Sequence, residues 1–352
     1  MYKTIFSIKN RLETSFSAWK FRQYIQYFFG DIRLVLSKNN PWTRKDFLFW
    51  RKKKYHAKIK THTTYYVIRR RSGHKKLEGS QNMGVCGWML FTLGDIAYAL
   101  EKNYIPVIDM KTYSNSYLIS DDVNKYNAWE FFFKPIIRYD LEKLRSTGNV
   151  IISTGILETE MPSYDLLMDS DWQYLDLRKW RNLTTIYMEP QNSIQQNAEQ
   201  FCVQNHFSQN KTLGVLCRGT DFVKEKPHGH PVQPTASSVI YDVEEAMVKY
   251  AFTQIYLATE DFDIYQQFKK HFGNKVITYS TPDIKYKSGS YLKNIHQSTK
   301  HLRQNGVNYL TSIWIMSHCN GIIGGITSGT LAALLFGNNF EYVFYYRQGY
   351  YD

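Results

Sequence analysis

Leu213-Gly214-Val215-Leu216-Cys217-Arg218-Gly219-Thr220-Asp221 is a short apolar run that stops at an arginine. A brief, unbroken apolar run reads as a strand buried on both faces, and the polar turn after it marks the carboxyl end. Downstream, Val239, Val243 and Met247 recur at helical spacing, with Ser237 or Ser238 placed to cap that helix. Ile255–Ala258 predicts a second strand, ending at Thr259-Glu260-Asp261. Ile264, Phe268 and Phe272 mark another helix, which Gly273 closes in a left-handed position. Val276-Ile277 predicts a third strand, Gly321–Gly324 a fourth and Tyr342–Tyr346 a fifth. Helices on Leu310, Ile313, Trp314 and Ser317, and on Gly329–Leu335, lie among them. This alternation predicts a doubly wound, Rossmann-like nucleotide-binding domain over residues 206–352.

Upstream the same texture recurs less regularly. Gly84-Val85-Cys86-Gly87 precedes a helical stripe on Leu93, Ile96, Ala97 and Leu100. Tyr104–Asp109 and Val150–Ile152 read as strands, and Asn127–Phe133 as a helix; residues 157–194 show no clear period. A second α/β domain is expected over residues 80–205. The fold class is therefore two Rossmann-like units behind a basic, partly helical extension, residues 1–79.

Composition agrees with that division. The 352 residues are 43% apolar and 16% aromatic, which excludes disorder. Four scattered cysteines without C-x-x-C spacing exclude a disulfide scaffold or zinc ribbon and favour a reducing compartment. With no apolar run near the roughly 18 residues of a membrane span, and no signal-peptide pattern, the expected location is the cytoplasm. The net charge of +13 is uneven: residues 1–79 hold 20 Lys/Arg against 4 Asp/Glu, and residues 80–352 hold 24 against 27. The basic segment carries an amphipathic helical pattern over Ser15–Leu36, the aromatics Trp19, Phe28, Trp42 and Trp50, and the runs Arg51–Lys54 and Arg69–Arg71. Bases mixed with rings suit the face of an anionic membrane; a solvated arm packed on the domain is the alternative. Nucleic acid would also attract the charge, but no nucleic-acid module accompanies it.

Ligands of open α/β sheets bind beyond the carboxyl ends of the strands. Three such ends are polar here: Arg218-Gly219-Thr220-Asp221, Thr259-Glu260-Asp261 and Gly324-Gly325-Ile326-Thr327-Ser328-Gly329-Thr330. Arg218 offers a permanently charged fork for a diphosphate. The glycine-rich turn opens a helix whose free N–H groups favour an anion, and Thr327, Ser328 and Thr330 add hydroxyls. No Walker loop, G-x-G-x-x-G fingerprint or nucleophile elbow occurs, which disfavours kinases, dinucleotide dehydrogenases and α/β-hydrolases. Asp169/Asp171 and Asp261/Asp263 have the spacing of metal-holding carboxylates, but Asp263 fits better as a helix cap and no metal is expected. His228-Gly229-His230 lies in a proline-flanked loop and, without further ligands, reads as a stiff polar loop instead of a metal site, with covering the neighbouring phosphate site as a second option.

Gly214–Asp221 resembles the first motif of the fucosyltransferase superfamily, Ala258–Asp261 the second, and Ile326–Thr330 the third; Gly84–Asp109 is similar to the opening of such enzymes. The resemblance implies a GT-B-type, inverting, metal-independent glycosyltransferase with GDP-fucose as donor and no cofactor. It places the donor on the C-terminal domain and much of a glycan acceptor, in surface polysaccharide synthesis and lipid-linked in some cases, on the N-terminal one. Arg218 matches the arginine that neutralises the diphosphate, and Thr327 and Ser328 match phosphate-contacting hydroxyls. Gly219, Thr220, Thr259, Glu260, Asp261, Gly329 and Thr330 complete the expected donor site. Asp221 and Glu225 are the acids nearest the motif that can serve as general base. Leu216 stands where the motif has a histidine, leaving base and sugar open. A non-catalytic, membrane-associated sugar- or nucleotide-binding protein is the alternative.

Overall fold

The computed structural model describes residues 53–55, 62–69, 84–111, 115, 117–118, 125–137, 141–153, 159–219, 223, 225–282 and 299–352. They fall into two compact units. The first comprises residues up to Met83, Phe91–Glu130 and Lys134–Met161; the second comprises Gly84–Leu90, Phe131–Phe133 and Pro162–Asp352.

The first unit is built on strands β1 (Lys53–Tyr55), β2 (Thr64–Ile68), β3 (Ile105–Ile108) and β4 (Asn149–Ile152), with helix α1 (Val85–Glu101), which belongs to this unit from Phe91 on, before β3 and α2 (Leu141–Thr147) before β4. The strands lie in the order β1-β4-β2-β3. β2 runs parallel to both β3 and β4, while β1 is antiparallel to β4. Val67, Val107, Leu144, Val150 and Ile152 form its core. Of the expected stripe on α1, Leu93, Ile96 and Ala97 are buried, but Leu100 is 36% exposed.

This sheet corrects the view of residues 1–79 as an appended arm. β2 is an inner strand whose Tyr66, Val67 and Ile68 are wholly buried. Arg69, one of the bases assigned to a membrane face, is also buried, its Nε donating to the Asp109 carboxylate at 2.8 Å. The helical pattern Ser15–Leu36, Trp19, Phe28, Trp42, Trp50 and Arg70–Arg71 lie outside the described residues.

The helix expected over Asn127–Phe133 is only a 3-10 turn, Ala128–Phe131. Asn127 spends its amide on the end of β3: Oδ1 accepts from the Met110 and Trp129 N–H groups and Nδ2 donates to the Ile108 carbonyl. An asparagine that bonds neighbouring backbone competes with helix formation.

The second unit opens with α3 (Tyr164–Met168), a 3-10 turn at Trp172–Tyr174, α4 (Arg178–Tyr187) and α5 (Asn192–Gln204). These resolve the stretch without clear periodicity, and they place the boundary at Met161/Pro162 instead of residue 205. Then β5 (Thr212–Leu216), α6 (Ala236–Lys249), β6 (Gln254–Ala258), α7 (Phe262–Phe272), β7 (Val276–Ile277), α8 (Thr299–Met316), β8 (Gly321–Gly325), α9 (Ser328–Phe336) and β9 (Tyr342–Tyr346) follow. The strands are all parallel, in the order β7-β6-β5-β8-β9. That is the doubly wound sheet the sequence predicts. β5 and β8 are buried at every position, as central strands covered on both faces must be. Val239 and Val243 of α6 and Ile264 and Phe268 of α7 pack onto Leu213, Val215, Ile255 and Leu257.

The caps differ from expectation. Thr235, not Ser237 or Ser238, caps α6, its Oγ1 accepting from the Ser238 N–H at 3.2 Å. Asp261, not Asp263, caps α7, accepting from the N–H groups of Asp263 and Ile264. Gly273 has the expected positive φ, 59°.

Candidate functional site

From β5 the chain winds through β6 and β7 on one side of the sheet and returns to β8 and β9 on the other. The crevice beyond the carboxyl ends of β5 and β8 is thus the topological switch point, where a ligand meets two diverging loops. Arg218 leaves β5 at this point. Pairing persists one residue past the strand, as the Cys217 N–H donates to the Ala258 carbonyl at 3.2 Å. The Arg218 side chain is 24% exposed and its Nε lies 3.3 Å from Glu260 Oε1, at the end of neighbouring β6. Such a pair holds the guanidinium at the carboxyl ends of β5 and β6.

Gly219 is what lets that turn close. A Cβ there would sit 2.1 Å from Asp261 Oδ2. Asp261 is fully buried and spends Oδ1 on the α7 cap, so its part is to shape the Arg218 turn from behind. Thr259 is half-buried, its hydroxyl accepting from the Asp261 N–H at 3.1 Å. Thr220 and Asp221 lie outside the described residues; Glu225 is exposed.

At the end of β8 the three expected hydroxyls divide. Thr327 caps α9, its Oγ1 accepting from the Thr330 N–H at 3.1 Å. Thr330 is wholly buried and donates to the Gly325 carbonyl at 2.6 Å. Both threonines therefore build the helix start, and Ser328 alone turns outward, its Oγ 3.0 Å from Tyr164 Oη. Among the described residues the N–H groups of Ser328 and Gly329 meet no acceptor, the normal condition of a first turn and an anion's natural partner. Gly329 is required here because a Cβ would lie 2.1 Å from Tyr309 Oη. Leu216, in place of the motif histidine, is buried beside it.

The structure adds residues that the sequence did not mark as site members. The charge of Arg218 is felt at Cys86, Tyr164, His230 and Tyr309. Burial pushes the Cys86 thiol up to about 12, against the opposing pull of Arg218. Burial also raises the Tyr164 hydroxyl, opposed by its bond to Ser328 and by Arg218. His230 moves the other way: burial first, then the neighbouring arginine, lowers it from its ordinary value and favours neutral imidazole. Its ring lies 6.0 Å from that of Tyr164. The H-x-H loop gave a sequence signal for His230, but Tyr164 and Tyr309 gave none.

Neither D-x-D run presents a metal-holding pair. Asp171 pairs with Arg347, and Asp263 sits in the first turn of α7. Among the described residues no group of three or more His, Cys, Asp or Glu side chains is arranged to hold a metal ion. Nor is any described helix long and apolar enough to cross a membrane.

No protein-family model matches the chain, and no curated protein matches it. Solved structures do. NodZ alpha-1,6-fucosyltransferase soaked with GDP-fucose is similar at 15% identity and a TM-score of 0.47, over 78% of this chain and 93% of that one. POFUT1 in complex with GDP is similar at 8% identity and a TM-score of 0.44, over 80% and 98%. A mutant of Arabidopsis thaliana FUT1 in complex with GDP is similar at 10% identity and a TM-score of 0.43, over 96% and 80%.

Proposed function

We propose that the second unit binds a nucleoside-diphosphate sugar at the β5/β8 crevice, and that the protein is an inverting, metal-independent glycosyltransferase. One observation carries the reading: a guanidinium at the end of β5 and an open helix start at the end of β8 occupy neighbouring strand ends. Fucose from GDP-fucose is the donor that the motif resemblance favours, with a glycan as acceptor.

In inverting transfer the bond from anomeric carbon to phosphate oxygen lengthens as the acceptor oxygen approaches from the opposite face. Negative charge then grows on the leaving diphosphate. Arg218 and the Ser328 and Gly329 N–H groups would meet that growing charge, which lowers the barrier as well as holding the ground state. A single preorganised donor of this kind supplies roughly 3–4 kcal/mol in other enzymes. The acceptor proton needs a base, for which Asp221 and Glu225 are the candidates.

The test is thermal shift with GDP, UDP, ADP and CMP, followed by donor turnover with GDP-fucose and other nucleotide sugars in excess EDTA. A diphosphate at about 100 times its Kd adds about 2.7 kcal/mol to the stability of the unit that binds it. Stabilisation by one nucleoside diphosphate, with turnover of its sugar in EDTA, is the expected result. Stabilisation without turnover of any sugar favours the non-catalytic alternative, and no stabilisation by any nucleotide removes the donor-site reading.

A further inference from the structure

The loop that sets the His230 ring 6.0 Å from that of Tyr164 contains Pro227, Pro231 and Pro234, which have no N–H to give, and an internal backbone bond runs from the His230 N–H to the Pro227 carbonyl at 3.0 Å. Further bonds come from the C-terminal end of the unit. The Gly229 N–H donates to the Tyr351 carbonyl at 2.9 Å, and the Tyr351 N–H returns a bond of 2.9 Å to the His230 carbonyl. The Val232 N–H donates to the Gly349 carbonyl at 2.9 Å, completing an antiparallel bridge centred on Pro231 and Tyr350. The Gln233 N–H donates to Tyr351 Oη at 3.2 Å. Gly349 has φ +80°, which lets the chain turn back along the loop.

Both partners of this bridge are anchored. Tyr350 donates its hydroxyl to the Asp165 carboxylate, next in sequence to Tyr164, whose hydroxyl meets Ser328 at the start of α9. Burial, followed by Asp165, raises the Tyr350 hydroxyl, so it stays protonated as a donor. On the other side the buried Gln233 donates through Nε2 to the Pro231 and Ile326 carbonyls, at 3.0 and 3.1 Å, tying the loop to the turn before α9. The loop is therefore held between α3, the β8–α9 turn and the Gly349–Tyr351 segment.

We propose that Gly349–Tyr351 is a strap that fixes the His230 loop over the Arg218 crevice, with Tyr350 and Asp165 as positioning residues for a bound nucleoside diphosphate. The proposal rests on the donor-site reading above. Its physical content is preorganisation: ordering the loop during folding removes that cost from the binding step.

Tyr350→Phe deletes one hydroxyl and keeps the ring. Asp165→Ala deletes the acceptor, together with its contact to Ser163; Asp165→Asn keeps an oxygen able to accept. The affinity of the full chain for GDP is measured by calorimetry, alongside the melting temperature and the imidazole resonances of labelled histidine, with His230 assigned by His230→Gln. Tyr350→Phe and Asp165→Ala are each expected to weaken GDP binding by about 5-fold, the effect of one lost hydrogen bond, and to shift the His230 resonance; Asp165→Asn should stay near wild type. Unchanged GDP affinity in Tyr350→Phe and Asp165→Ala, with wild type binding normally, overturns the strap. So does a fall in melting temperature alone, the signature of a purely structural contact. If wild type itself ignores GDP, the donor-site reading fails instead, and the strap is judged by the His230 resonance in Tyr350→Phe: an unmoved signal overturns it.

Discussion

Arg218 is where chemistry and geometry coincide. Arg218→Lys keeps the positive charge but loses the planar fork that, in the proposed donor complex, would meet two phosphate oxygens. Donor kcat/KM is expected to fall at least ~10-fold, about 1.4 kcal/mol, and wild-type turnover would remove the arginine from its assigned place. Gly219→Ala probes the same turn from behind. Its new methyl would meet the buried Asp261 carboxylate at 2.1 Å, so the turn must shift at a cost of about 1–3 kcal/mol. Melting temperature and GDP affinity should fall together, and a fully stable variant with normal GDP affinity would show that the turn is not strictly packed. His230 supplies a pH signature. Its proton affinity is lowered on folding from the ordinary value of 6.5, so the unfolded chain takes up the proton first as pH falls. The imidazole's contribution to stability is complete above about pH 6.5 and is lost as pH drops toward the lower folded value. Stability should therefore decline less steeply below pH 6.5 in His230→Gln than in wild type, and equal slopes in the two would contradict a depressed His230.

At the scale of elements, the central strands and the helices on them were legible because burial on both faces leaves an unbroken apolar run, as in Leu213–Cys217. Caps were less so. A capping side chain needs only to sit next to the first turn, and Thr235, Ser237 and Ser238 all offer a hydroxyl there; backbone geometry, not residue type, selects Thr235. The same limit applies at α9, where three adjacent hydroxyls read alike. In the structure Thr327 and Thr330 hold the turn while Ser328 faces Tyr164. Thr327→Ala is thus expected to cost about 1 kcal/mol of stability through the lost cap, with Thr327→Ser close to wild type, in urea unfolding. Equal stability of Thr327→Ala and wild type would show the cap bond to be dispensable. Tyr164 and Tyr309 lay beyond sequence reasoning for a different reason. Positions far apart in the chain become neighbours only through the packing of α3, α8 and the proline-rich loop, and no local period records such a meeting.

At the scale of the whole molecule, the uneven charge acquires a sharper boundary. The sequence marked residues 1–79 as basic, but β2 and the buried Arg69–Asp109 pair belong to the first sheet. A chain beginning near Gly79 would lose an inner strand and could not report on membrane binding alone, because loss of the sheet would dominate its behaviour. The informative cut lies before β1. Residues 1–50 carry 9 Lys/Arg against 3 Asp/Glu together with Trp19, Phe28, Trp42 and Trp50. Bases held near an anionic surface contribute about 1 kcal/mol each, within a Debye length of about 8 Å at physiological salt. A handful in contact would give measurable binding, with the indole rings adding apolar insertion. The full chain should sediment with vesicles rich in phosphatidylserine, release as salt rises and ignore neutral vesicles, whereas a chain beginning at Arg51 should remain in the supernatant with its melting temperature retained. Equal partitioning of the two chains would place the attraction elsewhere on the molecule. Failure of the full chain to bind at low salt would assign the basic segment to solvent.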